Sequence, residues 1–233
     1  MTKNKIALKR KAAEKALDFV QDGMILGIGS GSTIKEFIDA LKQSAIDSSS
    51  LINIPSSYDT EQMLIKNGLH VGTLNQYPQI DLVIDGADRV DSELNLIKGG
   101  GAALLREKIN IAAAKEVIII IDQTKKVKNF DDSFPIPVEV FPLAIQYVEK
   151  KLKSLSGKPQ LRKASNKLGP TITDNGNIIW DTTFNTIKNP RELEKILNNI
   201  PGVMENGLFP NYLITKVING KQSGVEILEK KND

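Results

Sequence analysis

Three segments of the chain combine glycines with side chains that can bind anions or move protons. The first is Gly27-Ile28-Gly29-Ser30-Gly31-Ser32-Thr33, which joins a predicted strand to a predicted helix. Its amides, its hydroxyls and the helix N-terminus are groups that can hold an anion. The spacing matches neither a dinucleotide fingerprint nor a Walker A loop, because Ser32 replaces the last glycine and no lysine follows. We therefore predict a small phosphate site, with an ordinary tight turn as the alternative.

The second segment is Ile84-Asp85-Gly86-Ala87-Asp88, in which an apolar strand runs directly into two carboxylates. Acids next to a buried strand cost solvation free energy unless they have partners or a chemical role. Two other interpretations remain open for these acids. Asp is a common turn former, and Asp91 and Glu93 could complete a metal site with them, although the spacing does not fit a calcium loop.

The third segment begins with Lys98-Gly99-Gly100-Gly101 and continues into a predicted helix that contains Arg106-Glu107-Lys108. Glycines allow a ligand to approach the backbone closely, and both Lys98 and the helix dipole favour negative charge. A helix that starts at Ala102 is predicted to bury one apolar stripe: Leu105, Ile109 and Ala112. Glu107 then lies on a different face, and a solvated cluster of charges is the alternative to a catalytic role.

Together these segments fit proton transfer next to a carbonyl group, in which a carboxylate acts as base and cationic or N–H donors hold the enediolate. Other chemistries lack the residues they need. The chain has no cysteine, which excludes disulfides and thiolate sites. Its one histidine, His70, lies in an alternating segment and is predicted to face solvent, which leaves little basis for a catalytic triad.

Composition narrows the class of protein. The chain has 233 residues, 25% of them charged and 40% hydrophobic, with a net charge of +3. Such a chain is an ordinary globular protein of one or two domains, and its dispersed charge does not favour a nucleic-acid partner. We find neither a signal peptide nor a membrane span in the sequence. The protein is therefore expected to be cytoplasmic and to have no membrane partner.

Continuous apolar strands alternate with helices in the first half of the chain, which predicts a parallel sheet covered on both faces. Strands are predicted at 24–28, 51–54, 69–74, 81–85 and 117–121, with helices at 5–21, 34–41, 59–67 and 102–114. The fold class is therefore α/β, with a doubly wound (Rossmann-like), mostly parallel sheet.

The pattern changes at Phe134-Pro135-Ile136-Pro137, because two prolines cannot occupy a central strand. Beyond it we predict a hairpin at Asp174-Asn175-Gly176-Asn177 and a helix that starts at Pro190. This part is expected to form a second, smaller α+β domain over residues 133–207. Residues 1–132 and 208–233 are assigned to the larger domain.

The motifs occur in an order that resembles ribose-5-phosphate isomerase of the A type, and the resemblance covers nearly the whole chain. The matching segments are Gly29–Thr33, Asp85–Asp88, Lys98–Ala103, Arg106–Lys108, Phe134–Val140, Thr173–Asn177, Ile200–Val203 and Gly207–Phe209. The resemblance implies that ribose 5-phosphate and ribulose 5-phosphate are interconverted in the pentose phosphate pathway without metal or organic cofactor. It also implies a homodimer or homotetramer, and a ferredoxin-like smaller domain.

The resemblance also implies roles for individual residues. Glu107 matches the base that moves a proton between C1 and C2, and Asp85 matches the group that opens the sugar ring. Asp88 and Lys98 match groups that hold the substrate oxygens and the enediolate, and Lys9 matches a site lysine. The substrate-contacting set is Ser30, Gly31, Ser32, Thr33, Asp85, Gly86, Ala87, Asp88, Lys98, Gly99, Gly100, Gly101 and Lys125.

The chain departs from the family pattern at three places. Ser30 replaces a common threonine, Arg89 replaces a common glutamate, and Pro210-Asn211-Tyr212-Leu213 follows Gly207-Leu208-Phe209 in place of a small and an acidic residue. Other functions also remain possible on a related fold. These are a sugar-phosphate deaminase-isomerase, a CoA transferase and a non-catalytic sugar-phosphate sensor, although no helix-turn-helix segment precedes residue 24.

Overall fold

The computed structural model describes residues 3–166 and 168–229, which form two compact units. The first unit contains the residues up to Ala87, Arg106–Lys126 and the residues from Asn211 onward. The second contains Asp88–Leu105 and Val127–Pro210. This grouping puts 88–105 in the second unit, whereas the sequence-based division put that segment in the larger domain.

The structure contains both parallel and antiparallel sheets. In chain order the strands are β1 (Ile25–Ile28), β2 (Ile52–Pro55), β3 (Ile80–Asp85), β4 (Arg89–Val90), β5 (Leu96–Ile97), β6 (Ala114–Asp122), β7 (Ile136–Val140), β8 (Lys158–Leu161), β9 (Ile178–Thr183), β10 (Val203–Asn206), β11 (Leu208–Phe209), β12 (Lys216–Lys221) and β13 (Gly224–Glu229). The α-helices are α1 (Lys3–Ala16), α2 (Ser32–Gln43), α3 (Tyr58–Lys66), α4 (Leu104–Ala112), α5 (Ile145–Ser154) and α6 (Pro190–Asn198).

The first unit is built on one six-stranded sheet in the order β13-β12-β6-β3-β1-β2. Every neighbouring pair is parallel except β12 and β13, which are antiparallel. The chain places β2 on one side of β1 and then crosses to place β3 on the other side. Ligands of open α/β sheets bind at such a reversal, beyond the carboxyl ends of the strands. The loops after β1 and β3 are therefore the expected site.

Helix α1 packs directly on the sheet of the first unit. A Cβ atom at Gly220 of β12 would lie only 1.9 Å from the carbonyl oxygen of Leu8. Glycine is therefore needed at this position for the helix to approach the strand. The main core lies between the helices and the strands of this unit, with Phe37 of α2 among its largest fully buried side chains.

The second unit contains two antiparallel sheets. Its elements follow the chain as β7-α5-β8-β9-α6-β10, and the four strands lie in the order β10-β7-β9-β8. This is the split βαβ arrangement of a ferredoxin-like domain. A separate three-stranded sheet has the order β11-β5-β4. The predicted fold class is confirmed: a doubly wound α/β sheet with a smaller α+β unit.

Two details of the sequence-based prediction are wrong. Residues 69–74 do not form a strand; Val71 makes a single parallel bridge to Asn53, and a turn follows in which the amide of Gln76 donates to the carbonyl of Thr73 at 3.0 Å. The predicted buried stripe of α4 is also incorrect. Its buried face carries Leu104, Glu107, Lys108 and Ile111, whereas Ile109 is 47% exposed.

The buried face of α4 was missed because a hydrophobic-periodicity rule excludes charged positions. Leu104, Lys108 and Ile111 follow the i, i+4, i+7 spacing, so the face is a regular helical one with ionisable members. Buried ionisable side chains on a helix are unusual unless they are paired or have a function. Within the part of the chain that the structure describes, no helix is both long enough and apolar enough to cross a membrane.

Candidate active site

The loop after β1 folds around the carboxylate of Asp85. The amide of Gly86 donates to Oδ1 of Asp85 at 2.6 Å, and the amide of Ser30 donates to the same oxygen at 3.3 Å. Asp85 is completely buried at the end of β3. A Cβ atom at Gly29 would lie 1.8 Å from Oδ1, so glycine at this position makes room for the carboxylate.

Ser30 is surrounded by hydroxyl groups of the same unit. Its Oγ lies 2.8 Å from Oγ of Ser56, 2.9 Å from Oγ of Ser57 and 3.3 Å from Oγ1 of Thr60. Thr60 in turn donates to the carbonyl of Gly29 at 2.7 Å. This network holds the loop after β1 in place. These partners were not predicted, although Ser56 and Ser57 follow the end of β2 and the same strand-end rule could have found them.

Lys9 of α1 reaches the start of α2. Its Nζ donates to Oγ of Ser32 at 2.7 Å, and Lys9 is only 4% exposed. Burial lowers the pKa of Lys9 below the usual lysine value of 10.5, and the charge of Asp122 partly opposes this shift. The positive charge of Lys125 lowers the pKa of Lys9 further. Lys9 and Ser32 therefore form a hydrogen-bonded pair of phosphate-binding residue types, and Lys125 lies in the turn that follows β6 of the same unit.

Asp122 organises the end of β6. Its Oδ1 accepts the amide of Thr124 at 3.0 Å and also accepts the hydroxyl of that residue. These bonds cap the 3-10 turn Gln123–Lys125, which contains Lys125. Asp122 is completely buried. Lys125 was predicted as a substrate-contacting residue, whereas the acid that shapes its turn was not predicted.

Glu107 is the buried acid of α4. It is 5% exposed and precedes Lys108, which is 7% exposed. It lies in the first turn of the helix, where the helix dipole favours a negative charge. The prediction that Leu105 and Ile109 belong to the buried stripe and that Glu107 lies off it is therefore wrong, because Glu107 lies on the buried face.

In the second unit, the triple-glycine loop has a tightly determined backbone. Gly99 has a φ of +99°, and Ala102 has a φ of +63°, a value that is uncommon for residues with a side chain. The amide of Gly100 donates to Oδ2 of Asp88 at 2.8 Å. A Cβ atom at Gly100 would lie 2.9 Å from that oxygen, so glycine allows this close contact. Asp88 and the glycine loop are therefore adjacent, as the motif hypothesis requires.

Lys98 is buried just before this loop. It is 3% exposed, and its Nζ lies 5.6 Å from the centre of the Phe209 ring. Its amide donates to the carbonyl of Gly207 at 2.9 Å. A cation over an aromatic face is stabilised by the ring quadrupole. The backbone of Lys98 is thus fixed by Gly207, and its side-chain ammonium lies over the ring of Phe209.

Arg89, the departure from the family pattern, has its own contacts within the second unit. Its guanidinium carbon lies 4.3 Å from the centre of the Phe134 ring, and its Nη1 donates to the backbone carbonyl of Asp88 at 2.7 Å. The other departure, around Pro210, leads through a short 3-10 helix at Asn211–Leu213 into β12. The chain then completes the sheet of the first unit.

Asp91, one of the residues of the metal hypothesis, is hydrogen-bonded to its own neighbours in the chain. Its two carboxylate oxygens accept the amides of Glu93 and Asn95 and the side-chain amide of Asn95. Burial raises the pKa of Asp91, and these hydrogen bonds oppose the shift. Across residues 3–166 and 168–229, no group of three His, Asp or Glu side chains is arranged to hold a metal ion.

Comparisons with known proteins assign the family. The protein-family model described as ribose 5-phosphate isomerase A (phosphoriboisomerase A) matches residues 52–224 of this sequence. The chain belongs to the ribose 5-phosphate isomerase A family. A ribose-5-phosphate isomerase A from Methanococcus aeolicus is 44% identical over 94% of this chain and 93% of its own length. One from Thermosynechococcus vestitus is 42% identical over 94% of this chain and 96% of its own length.

Solved structures agree with this family assignment. A D-ribose-5-phosphate isomerase in complex with phospho-erythronic acid is 42% identical, with a TM-score of 0.90 over 95% of this chain and 97% of that one. The ribose 5-phosphate isomerase A of Methanocaldococcus jannaschii has a TM-score of 0.89 at 39% identity, over 96% and 98% of the two chains. The resemblance inferred from the motifs is therefore confirmed.

Proposed function

We propose that this isomerase family member interconverts D-ribose 5-phosphate and D-ribulose 5-phosphate. The observation that carries the proposal is the burial of Glu107 at the start of α4, because a carboxylate removed from water needs partners or a chemical task. The relatives are named for this activity, and one of the similar structures was solved with phospho-erythronic acid. That ligand combines a phosphate with a planar carboxylate, and an enediolate likewise presents two oxygens in one plane.

Ring opening comes first in the proposed reaction. Asp85 takes the proton of the C1 hydroxyl and delivers it to the ring oxygen as the bond between C1 and that oxygen breaks, which gives the open-chain aldehyde. The amides of Ser30 and Gly86, which donate to one oxygen of Asp85, fix the orientation of this carboxylate. A base that is already oriented loses little entropy when it reacts.

Proton transfer between carbons follows. Glu107 removes the proton from C2 of the aldehyde, which leaves an enediolate. The proton of the C2 hydroxyl passes to O1, and Glu107 returns its proton to C1, which gives the ketose. Lys98 and the amides of Gly99, Gly100 and Gly101 supply positive charge and N–H donors for the enediolate. Asp88 holds a substrate hydroxyl. Gly86 and Ala87 contact the substrate next to Asp85.

The phosphate is proposed to bind at the start of α2. Gly31 and Thr33 contribute backbone amides and a hydroxyl there, together with the helix N-terminus. Ser32 already accepts a hydrogen bond from Lys9. Lys9, and Lys125 from the turn after β6, are proposed to supply the positive charge that a phosphate dianion needs.

We further propose that the protein is cytoplasmic and works as a homodimer or homotetramer in the pentose phosphate pathway. The oligomer proposal rests on the family. Light scattering after size exclusion would test it, since the chain mass is 25.6 kDa. A mass near that value across the micromolar range would contradict an oligomer.

The decisive experiment is to incubate the protein with ribose 5-phosphate in D2O and to follow the reaction by NMR. We expect ribulose 5-phosphate to form with deuterium entering from solvent, because the carboxylate exchanges its proton with water between the two transfers. Binding without any ketose would contradict the isomerase proposal and favour a sugar-phosphate sensor. Turnover of amino sugar phosphates or acyl-CoA in place of ribose 5-phosphate would indicate the related deaminase-isomerase or CoA-transferase activities.

A further inference from the structure

A side chain outside the family motifs contacts the triple-glycine loop of the second unit. Nη1 of Arg162 donates to the carbonyl of Gly99 at 2.8 Å and to the carbonyl of Gly100 at 3.3 Å. Nε and Nη2 of the same guanidinium donate to the two carboxylate oxygens of Asp181, the first at 2.8 Å. Arg162 thus connects Asp181 to the loop.

The Gly99–Gly100 peptide group is held from both sides. Its carbonyl oxygen accepts from Arg162, and its N–H donates to Oδ2 of Asp88 at 2.8 Å. The amide of Ala102 donates to the same carbonyl at 3.0 Å. Hydrogen bonds in such a chain polarise one another, so a charged donor on the carbonyl strengthens the N–H as a donor.

We propose that Arg162 is a positioning residue of the isomerase reaction, which fixes the Gly99–Gly100 peptide group and through it the carboxylate of Asp88. The inference rests on the proposed function, in which Asp88 holds a substrate hydroxyl. Arg162 itself does not contact substrate in this scheme. Its side chain supplies a fixed charge behind the loop, and Asp181 keeps that charge oriented.

The backbone of Arg162 is well anchored for this task. Its amide donates to the carbonyl of Ile179 at 2.9 Å, and its carbonyl accepts from Thr171 at 2.8 Å. Asp181 lies on β9, which pairs with β8 immediately before Arg162. Because Asp181 lies on a strand and the backbone of Arg162 is hydrogen-bonded at both its amide and its carbonyl, the guanidinium has little freedom to move away from the loop. A bidentate pair of this kind needs the planar fork of arginine, which lysine lacks.

Kinetic measurements on substituted proteins test the proposal. In Arg162→Ala we expect kcat with ribose 5-phosphate to fall about tenfold to a hundredfold, as misplacing a remote group can do. KM should change by less than about threefold, because the proposed phosphate contacts lie elsewhere. Arg162→Lys should show an intermediate loss. The matched control is Lys163→Ala, which removes the neighbouring exposed cation and should leave both constants unchanged.

Two further readouts separate positioning from a purely structural role. Guanidinium at low, non-denaturing concentration should restore part of kcat to Arg162→Ala with saturation, whereas urea at the same concentration should not. The losses from Arg162→Ala and Asp88→Asn should also fall far short of additive in the double variant, as for residues acting in one network. Additive losses together with no rescue would overturn the proposal.

Hydrogen exchange tests the positioning without relying on activity. The amide of Gly100 should exchange at least about tenfold faster in Arg162→Ala than in the parent, because its acceptor Asp88 is then held less firmly. If Arg162→Ala does not fold, Asp181→Asn provides the same test with the arginine retained. Unchanged Gly100 exchange in a folded variant would refute the inference. Failure of the parent to isomerise ribose 5-phosphate would instead refute the proposed function, and the exchange result would still decide the contact.

Discussion

The carboxylate of Asp85 occupies the space that a side chain at position 29 would need. A Cβ atom at Gly29 would lie 1.8 Å from Oδ1 and 2.7 Å from Cβ of Asp85. Two elements of the sheet, the loop after β1 and the end of β3, therefore fit together only when residue 29 is glycine. This relationship makes the loop sequence a direct determinant of where the proposed ring-opening acid points.

The substitution Gly29→Ala should therefore displace Asp85. We expect kcat to fall about a hundredfold on ribose 5-phosphate, since general acid–base catalysis contributes on that scale. The comparison variant is Gly27→Ala, whose Cβ would lie 2.5 Å from Cγ2 of Val83 and would disturb packing instead. Gly27→Ala should lower the melting temperature while the folded protein keeps its kcat. Equal kcat losses in both variants, measured well below their melting temperatures, would contradict this assignment.

Replacement of Glu107 by glutamine should leave binding intact and remove the base. We expect kcat to fall at least about a hundredfold with KM little changed, because an amide cannot accept the proton from C2. Deuterium incorporation at C1 and C2 should fall in parallel. Glu116→Gln, which neutralises an exposed acid at the start of β6, is the control and should keep normal turnover. Near-normal activity of Glu107→Gln would remove this residue from the mechanism.

Lys9 should contribute positive charge to phosphate binding. In Lys9→Met we expect KM for ribose 5-phosphate to rise by about tenfold or more, in keeping with the loss of a charge-assisted bond to phosphate. Inorganic phosphate should inhibit that variant more weakly. Lys35→Met, which removes an exposed charge on α2, should keep the parent KM. A parent-like KM in Lys9→Met would exclude Lys9 from the phosphate site.

The same residue predicts a pH dependence. Because burial lowers the pKa of Lys9, its ammonium loses its proton at a lower pH than an ordinary lysine. The parent KM should therefore rise on the alkaline side at a pH below 10.5. Lys9→Arg stays charged in this range and should show no such rise. KM profiles of the two proteins from pH 7 to 10.5 provide the measurement, and identical profiles would contradict the prediction.

Asp81 should stabilise the first unit in a pH-dependent manner. Its carboxylate accepts the amide of Ile25 at 2.9 Å and pairs with Lys115 at 2.7 Å, and the backbone bond, followed by the lysine, lowers its pKa. Because the pKa is lower in the folded state, the ionised carboxylate stabilises the protein at pH values above the usual pKa near 3.8. This stabilisation is lost as the pH falls through the folded-state pKa. Asp81→Asn should cost about 1 kcal/mol at neutral pH.

Urea unfolding of the parent and of Asp81→Asn at several pH values would measure this difference. The gap between the two proteins should shrink toward zero as the pH falls below 3.8. Asp132→Asn, at an exposed position of the second unit, serves as the control and should show no gap at any pH. A constant gap across the range would show that the asparagine acts through packing and not through charge.

Much of the candidate site could be proposed from the sequence because its residues lie at strand ends and glycine turns, which leave strong local signals. Asp85 follows an apolar run, and Lys98 precedes three glycines, so both were found from their neighbours. Asp122 also follows an apolar run, 117–121, and the same rule could have selected it, whereas Arg162 left no such signal. Arg162 bonds to the carbonyl of Gly99, which is distant in sequence, and Asp122 bonds to the nearby amide of Thr124. Both contacts depend on geometry that only the folded chain provides. Local patterns identify what a loop contains, and tertiary packing determines what holds it.

The errors in the fold have physical causes of the same kind. Residues 69–74 alternate as a strand does, yet Val71 forms a single bridge to Asn53 before the chain turns at Thr73. The face of α4 was misassigned because Glu107 and Lys108 were treated as solvent-facing by type. Both are buried, so a rule based on hydrophobicity fails where a helix buries ionisable side chains.

The place of β12 in the sheet has a consequence for synthesis on the ribosome. Ile118 and Ile119 of β6 pair on one side with β3, which precedes them. On the other side, all four isoleucines at 118–121 pair with β12, which starts only at Lys216. Until that segment emerges, an isoleucine-rich strand has an open edge, which is a template for aggregation. We therefore expect the exposed edge of β6 to be covered in the nascent chain, by a chaperone or by transient contacts, while about ninety further residues are added.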